Sequence, residues 1–196
     1  TAAESAIPFV LNGQAIEAAA GESILQAARR YGVDIPHLCH KDGLRPVGNC
    51  RACMVEIKGE RTLAASCCRM PTPGMEVQSA SPRAATAQKM VIELLLADQP
   101  EQSLKLDNEL DDWARRMQLA GPRFPASPAA EPDRSHAAIA VNLAACIQCT
   151  RCLRACRESQ VNDVIGLAFR GAQARIVFDQ ADPMGNSTCV SCGECV

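Results

Sequence analysis

Cysteine thiolates are the residues of this chain best placed to do chemistry, and its twelve cysteines fall into two sets. The first runs Cys39, ten residues, Cys50-Arg51-Ala52-Cys53, thirteen residues, then the pair Cys67-Cys68. The second opens with Cys146-Ile147-Gln148-Cys149-Thr150-Arg151-Cys152-Leu153-Arg154-Ala155-Cys156 and resumes with Cys189-Val190-Ser191-Cys192-Gly193-Glu194-Cys195, just before Val196. Thiolate sulfur is the ligand that iron-sulfur clusters use, and a 2Fe-2S cluster needs four such ligands on a loop that wraps it. Cys39, Cys50, Cys53 and one of Cys67 or Cys68 meet that need. Gly43, Pro46 and Gly48 would let the loop turn its amides toward the cluster sulfurs, where hydrogen bonds help to set the potential. The chemistry this pattern points to is electron transfer.

Other readings of the same residues are weaker. Four cysteines also make a closed zinc site, as in a non-catalytic interaction module, but zinc ribbons pair two Cys-x-x-Cys knuckles and the first set has one. A disulfide scaffold fits poorly with tight Cys-x-x-Cys packing and no secretion signal. His37 and His40 flank Cys39 and invite a Rieske-like arrangement, although the cysteines already supply a full set. His136 reads as a surface histidine of a linker.

The net charge of −2 and pI near 5.9 argue against nucleic acid as a partner. There is no apolar leader and no run long enough to span a membrane, and Arg29-Arg30 lies too far in for a twin-arginine signal, so a cytoplasmic chain is the expectation. Aromatic residues are only 3% of the chain, which leaves few large side chains for a core and makes metal cross-links useful. Nothing here resembles a pterin domain, a dinucleotide fingerprint or a nucleophile with its base.

The elements that must position the first set are short. Ile7 to Leu11 and Gln14 to Ala18 flank Asn12-Gly13 as a hairpin. Ser23 caps a helix with Ile24, Leu25, Ala28 and Tyr31 on one face and Gly32 as its stop. Met54 to Ile57 and Thr62 to Ala65 predict a second hairpin, and Met75 to Gln78 a last strand. Apolar residues at helical spacing run from Arg83 to Ala97, and Leu104 to Leu119 is a more charged helical stretch. Its acidic residues Asp107, Glu109, Asp111 and Asp112 read as a solvated or partner-facing surface. Gly121 to Asp133 carries four prolines and reads as a linker or strap. Ile139 to Asn142 and Ala174 to Phe178 are the strand candidates beyond it.

Pro36-His37-Leu38-Cys39, Gly48-Asn49-Cys50-Arg51-Ala52-Cys53-Met54-Val55-Glu56 and Ser66-Cys67 before Pro71 and Gly74-Met75 carry a resemblance. They resemble the N-terminal 2Fe-2S domain shared by the large iron-sulfur subunit of complex I, NAD-linked hydrogenases and NAD-dependent formate dehydrogenase alpha subunits. The resemblance implies an α+β chain with a β-grasp ferredoxin-like domain. It also implies that Cys67 rather than Cys68 is the fourth ligand, since thirteen intervening residues match its pattern and extended neighbours point to opposite sides.

The second set is similar to the bacterial two-cluster ferredoxin pattern, except that Arg157 stands where that pattern has proline. In that pattern the fourth cysteine of each run ligates the other cluster. This implies one 4Fe-4S cluster on Cys156, Cys189, Cys192 and Cys195, and another on Cys146, Cys149 and Cys152 with its fourth ligand beyond Val196, as if the domain were truncated. Arg151, Arg154 and Arg157 would offset cluster charge or form a solvated basic face.

Leu96 to Ser103 lacks the His-x3-Cys-x2-Cys-x5-Cys segment usual in complex I and hydrogenase relatives, which implies that one extra cluster is absent. With Asn142 and Gln160 to Gly166, this looks most like the alpha subunit of a molybdenum- or tungsten-dependent, NAD-linked formate dehydrogenase. That implies a longer parent with a downstream bis-pterin domain, and a partner subunit binding flavin and NAD with further iron-sulfur clusters. A hydrogenase diaphorase subunit is the alternative. The expected organisation is a 2Fe-2S domain at 1–82, a helical connector at 83–120, a Pro-rich linker at 121–135 and a two-cluster 4Fe-4S ferredoxin-like domain at 136–196.

Overall fold

The computed structural model describes residues 6–99, 108–125 and 131–195. Strands β1 (Ile7–Leu11) and β2 (Gln14–Ala18) form the expected hairpin, with Ile7 opposite Ala18. Asn12 and Gly13 both take positive φ, as a two-residue turn of this kind requires. Helix α1 (Ile24–Arg30) starts in a capping box, in which the Ser23 side chain accepts from the Gln26 amide and the Gln26 side chain accepts from the Ser23 amide. Strands β3 (Met54–Ile57), β4 (Ala64–Ala65) and β5 (Glu76–Gln78) complete a mixed sheet in the order β2-β1-β5-β3-β4. Here β5 runs parallel to β1 and antiparallel to β3. Phe9, Leu11, Val55 and Val77 from the sheet close on Ile24 and Leu25 of α1, and Cys53 and Cys67 lie in the same core. The result is a sheet wrapped on one helix, in the ferredoxin-like manner.

Two expectations in this half are corrected. Tyr31 is not on the buried face but caps the helix at 39% exposure, because its φ of −96° and ψ of 16° take it out of helical register. Strand β4 is only two residues long, and Thr62 lies in the loop before it.

Helix α2 (Pro82–Ala97) begins one residue earlier than the apolar spacing predicts, with Ser81 as its cap and Pro82 at a position where a missing N–H costs nothing. Gln88 on α2 is buried and donates to the carbonyls of Met54 (2.8 Å) and Ser79 (2.9 Å), which fastens the helix to the sheet. The second stretch is helical as α3 (Glu109–Arg116), capped by Asn108, while 104–107, including Asp107, lie outside the described residues. Leu110 and Trp113 of α3 and Ile92 of α2 pack on Leu38 and Ala52, so the connector rests directly on the first cysteine loop.

The Pro-rich stretch behaves as a strap where it is described. Arg123 pairs with the buried Glu93 of α2 at 2.5 Å. Further along, Asp133 bridges to Val141 and its carboxylate accepts from the Met184 amide at 2.7 Å. Ile139 to Asn142 forms only that bridge and no strand. The first run of the second cysteine set leads into a short helix, α4 (Arg151–Arg154), continued by one π turn over Ala155–Ser159. Strand β6 (Ile165–Ala168) follows and pairs with β7 (Arg175–Phe178), although sequence periodicity did not single β6 out. No helix among the described residues is long and apolar enough to cross a membrane.

Candidate iron-sulfur sites

The first cysteine loop brings four sulfurs together. Cys39, Cys53 and Cys67 are buried and Cys50 is half-buried, whereas Cys68 is exposed. Cys39 contacts both Cys50 and Cys67, and Cys67 also contacts Cys53. The Cys67 and Cys68 sulfurs are 3.6 Å apart, so burial rather than distance separates them. All twelve cysteines carry free thiols.

Hydrogen bonding splits the ionisation of these sulfurs, lowering Cys39 and Cys53 and raising Cys50 and Cys67. Contacts from Cys50 and Cys67, against burial, hold the Cys39 thiol far below the usual range, at about 2. The same contacts push Cys50 and Cys67 upward, as expected when touching thiols share their ionisation. Cys53 falls to about 7, chiefly through its bond with Cys67. Backbone amides add to this: those of Asn49 and Cys50 support the Cys39 thiolate, and that of Ala52 supports Cys50. Thiolates ringed by amide donors are the setting an anionic cluster needs.

The loop achieves this through backbone conformations that residue type conceals. Gly43 and Gly48 take positive φ as expected, but so does Arg51, at 58°, inside the Cys50-x-x-Cys53 knuckle. Gln148, Thr150 and Ser191 repeat the feature in the second set. Such conformations cost non-glycine residues energy and persist where surrounding structure demands them. A substituent on Gly48 would meet the Cys68 sulfur at 3.0 Å, so Gly48 also makes room for the pair.

His37 and His40 differ in what their ring nitrogens hold, since His40 Nδ1 is buried without a hydrogen-bond partner. His37 Nδ1 bonds the Ile35 carbonyl at 2.8 Å and Nε2 bonds Arg29 at 2.8 Å, which occupies both ring nitrogens. His40 is 4% exposed, and burial lowers its pKa despite Nε2 lying 3.2 Å from Asp42. Among the described residues, no three His, Cys, Asp or Glu groups converge closely enough for a single metal ion. A 2Fe-2S cluster divides its four thiolates between two irons.

Three cysteines of the second set, Cys146, Cys152 and Cys195, line a cavity of about 320 Å³ with Ile165, Ile176, Phe178 and Met184. Burial pushes the Cys152 thiol up to about 11, helped by the charges of Cys149 and Cys146, and raises Cys146 as well. Cys195 is raised by burial and then by Cys189, Cys192 and Cys156. Cys195 also adds to the charge felt by Cys152, so the seven sulfurs of the second set lie near one another around Cys152 and Cys195. The buried Cys156 sulfur also donates to the Asn162 carbonyl at 2.5 Å.

His136 is more than a surface residue. Its Nδ1 accepts from the amides of Ala138 and Ile139 (both 3.1 Å), so the proton sits on Nε2, which donates to Ser191 at 2.8 Å within the Cys189-x-x-Cys192 knuckle.

The two cysteine regions meet. Asn49 donates to the Gln148 carbonyl at 2.6 Å, Ile147 packs near Cys50, and Arg151 donates to the His40 carbonyl at 2.9 Å. Glu109 pairs with Arg151 at 2.5 Å while staying exposed, so one acidic residue of the connector reaches the second set from the solvated surface. The three arginines of the first run divide their tasks: Arg151 and Arg154 reach the first loop, while Arg157 pairs with Asp163 at the surface. Neither long-range contact was visible in the spacing of the residues.

Residues 4–82 match the family model described as a 2Fe-2S iron-sulfur cluster binding domain. Over 97% of its length the chain is 30% identical to an NADH-quinone oxidoreductase subunit of Rhizobium meliloti (strain 1021), of which it covers 23%. Over 98% of its length it is 31% identical to an NADP-reducing hydrogenase subunit, HndD, of Solidesulfovibrio fructosivorans, covering 34%. A "Putative formate dehydrogenase YrhE" of Bacillus subtilis (strain 168) is 29% identical over 91% of the chain, which covers 19% of that protein. The chain therefore spans between about a fifth and about a third of these relatives. Among solved structures, a chain of an NAD+-reducing [NiFe]-hydrogenase superposes with a TM-score of 0.84 at 27% identity, covering 93% of this chain and 80% of that one. By this match, residues 4–82 are similar to the 2Fe-2S class of iron-sulfur cluster binding domains.

Proposed function

We propose that the chain is an electron-transfer module whose 2Fe-2S cluster is held by Cys39, Cys50, Cys53 and Cys67. The observation that carries this is the convergence of those four sulfurs, three of them buried, inside a ring of backbone amides. The residues suit the group: Cys39 and Cys53 favour thiolate, the amides of Asn49, Cys50 and Ala52 face the sulfurs, and Cys68 lies outside. When bound, such a cluster supplies one-electron transfer. What the chain's own residues do is fix the sulfurs, exclude solvent through Leu38 and Ala52, and dock the second cysteine region.

The second region is read as a two-cluster 4Fe-4S ferredoxin-like domain. Cys156, Cys189, Cys192 and Cys195 would hold one cluster. Cys146, Cys149 and Cys152 would supply three ligands to the other. The nearness of these thiols to one another and the cavity beside Cys146, Cys152 and Cys195 support a metal-binding role for the region, and the division into two ligand sets rests on the ferredoxin-like spacing.

In the finer reading, the module relays electrons between a formate-oxidising molybdenum or tungsten bis-pterin site in a longer parent and a partner subunit that binds flavin and reduces NAD. The missing His and Cys residues between Leu96 and Ser103 and the similarity to the putative formate dehydrogenase support it. A hydrogenase diaphorase role is the second reading, favoured by the superposition on the NAD+-reducing hydrogenase. The test is to add formate or hydrogen anaerobically to the full-length protein with its partners. Cluster reduction by formate alone supports the first reading, and reduction by hydrogen alone the second.

A further inference from the structure

Arg154 is 4% exposed and lies where α4 meets the first cysteine loop. Its Nη1 donates to the Arg45 carbonyl at 2.8 Å and its Nη2 to the carbonyl of Cys39. Its Nε is buried with no hydrogen-bond partner. Both partners are neutral oxygens. The acidic groups nearby are engaged elsewhere: Glu109 with Arg151, Asp163 with Arg157, and Glu158 with the Arg45 amide at 2.8 Å. Among the described residues Arg154 is thus a buried cation with no carboxylate partner, an unfavourable state unless an anion lies within reach.

The residue whose carbonyl it grips is itself a cluster ligand in the reading above. An all-thiolate 2Fe-2S centre is anionic and gains one more negative charge on reduction. We propose that Arg154 is the counter-charge of the 2Fe-2S centre, supplied across the interface by the second cysteine region, and that it raises the centre's reduction potential. The inference rests on the ligand assignment of Cys39, Cys50, Cys53 and Cys67. A cation held beside the centre favours the state with the extra electron, because like charges repel and opposite charges attract most strongly where water is excluded. Arg151 provides an internal comparison. It makes a contact of the same kind, to the His40 carbonyl, but its charge is already paired with Glu109.

The experiment is an anaerobic redox titration of the chain, with dithionite supplying one electron to the 2Fe-2S centre and the reduced signal read by electron paramagnetic resonance. No bond forms or breaks in the step. Arg154→Met is expected to lower the ratio of reduced to oxidised centre at fixed potential about tenfold, equivalent to ~59 mV for a one-electron couple. Arg154→Lys keeps the charge and loses the forked geometry, and should stay within about threefold of the unaltered protein, as should Arg151→Met. Equal shifts in Arg154→Met and Arg151→Met would reduce Arg154 to a docking contact and overturn the proposal. So would an unshifted Arg154→Met, or an Arg154→Lys displaced as far as Arg154→Met. Should Arg154→Met fail to hold its centre, Arg154→Gln takes its place against Arg154→Lys under the same criteria. Loss of the 2Fe-2S signal already in the unaltered protein would instead defeat the ligand assignment beneath.

Discussion

Asn49 and Gln148 stand 99 residues apart in sequence, yet the Asn49 side chain donates to the Gln148 carbonyl at 2.6 Å. Each is beside a cysteine, Cys50 in one case and Cys149 in the other, so this one bond ties the two knuckles together. The contact is exposed, and a hydrogen bond of this kind contributes about 0.5–1.5 kcal/mol net. Asn49→Ala should therefore leave both regions folded while loosening their junction. Hydrogen exchange over residues 146–150 should quicken without a comparable change in β1 to β5. Unchanged exchange at 146–150 would show that the bond does not hold the junction.

Cys67 is 1% exposed and lies in the sheet core, while Cys68 faces out. Cys67→Ser should abolish the 2Fe-2S signal and Cys68→Ser should retain it. The opposite result would assign the wrong sulfur. Because Cys68 is exposed and 3.6 Å from its neighbour, Cys68→Ser should also reduce disulfide formation in protein stripped of iron, read by thiol titration.

Glu93 is 5% exposed on α2 and carries the strap through Arg123, whose guanidinium holds the Glu93 carboxyl below the usual carboxylate range. A depressed folded-state pKa means that the stabilisation is complete above the unfolded carboxylate value and fades only as pH falls through the lower folded value. At neutral pH it is present in full. Glu93→Gln should then expose the strap, and trypsin should cut after Arg123 faster at neutral pH than in the unaltered protein. Equal cutting rates would mean that other contacts hold the strap.

Gly185 lies where the chain passes within touching distance of Ser135. A Cβ there would sit 2.4 Å from the Ser135 carbonyl oxygen, and the Gly185 amide donates to the Ser135 hydroxyl at 2.8 Å. Backbone has to move to admit even a methyl group, a change of the kind that costs about 1–3 kcal/mol. Gly185→Ala should lower the thermal midpoint of the second region, followed by loss of cluster absorbance on heating. A midpoint equal to that of the unaltered protein would mean that the approach relaxes freely.

Local signals in the sequence specified local structure well. Asn12-Gly13 marked the first hairpin and Ser23 the cap of α1, whereas the opening of α2 at Pro82 was missed by one residue. What escaped was set by long-range packing. Strand β6 has no clean alternation, and it forms because β7 pairs with it from Ile165 to Ala168. Ile139 to Asn142 has the composition of a strand but only Asp133 as a partner, at a single bridge. The cysteine spacing pointed to the sites, whereas Arg51, Gln148 and Ser191 gave no sign of their left-handed backbone, since glycine is the usual marker. The basic residues of α4 were visible as a charge run, but the carbonyls of Cys39 and His40 that they grip lie more than a hundred residues away.

The central claim is that the four sulfurs of the first loop hold a 2Fe-2S cluster. Its most direct test is metal analysis joined to electron paramagnetic resonance of residues 1–82, and of the whole chain, prepared anaerobically and reduced with dithionite. The account predicts two irons per 1–82 fragment, no stoichiometric zinc, and a reduced signal typical of a 2Fe-2S centre that is also seen in the whole chain. A colourless, zinc-loaded whole chain with no such signal would contradict it.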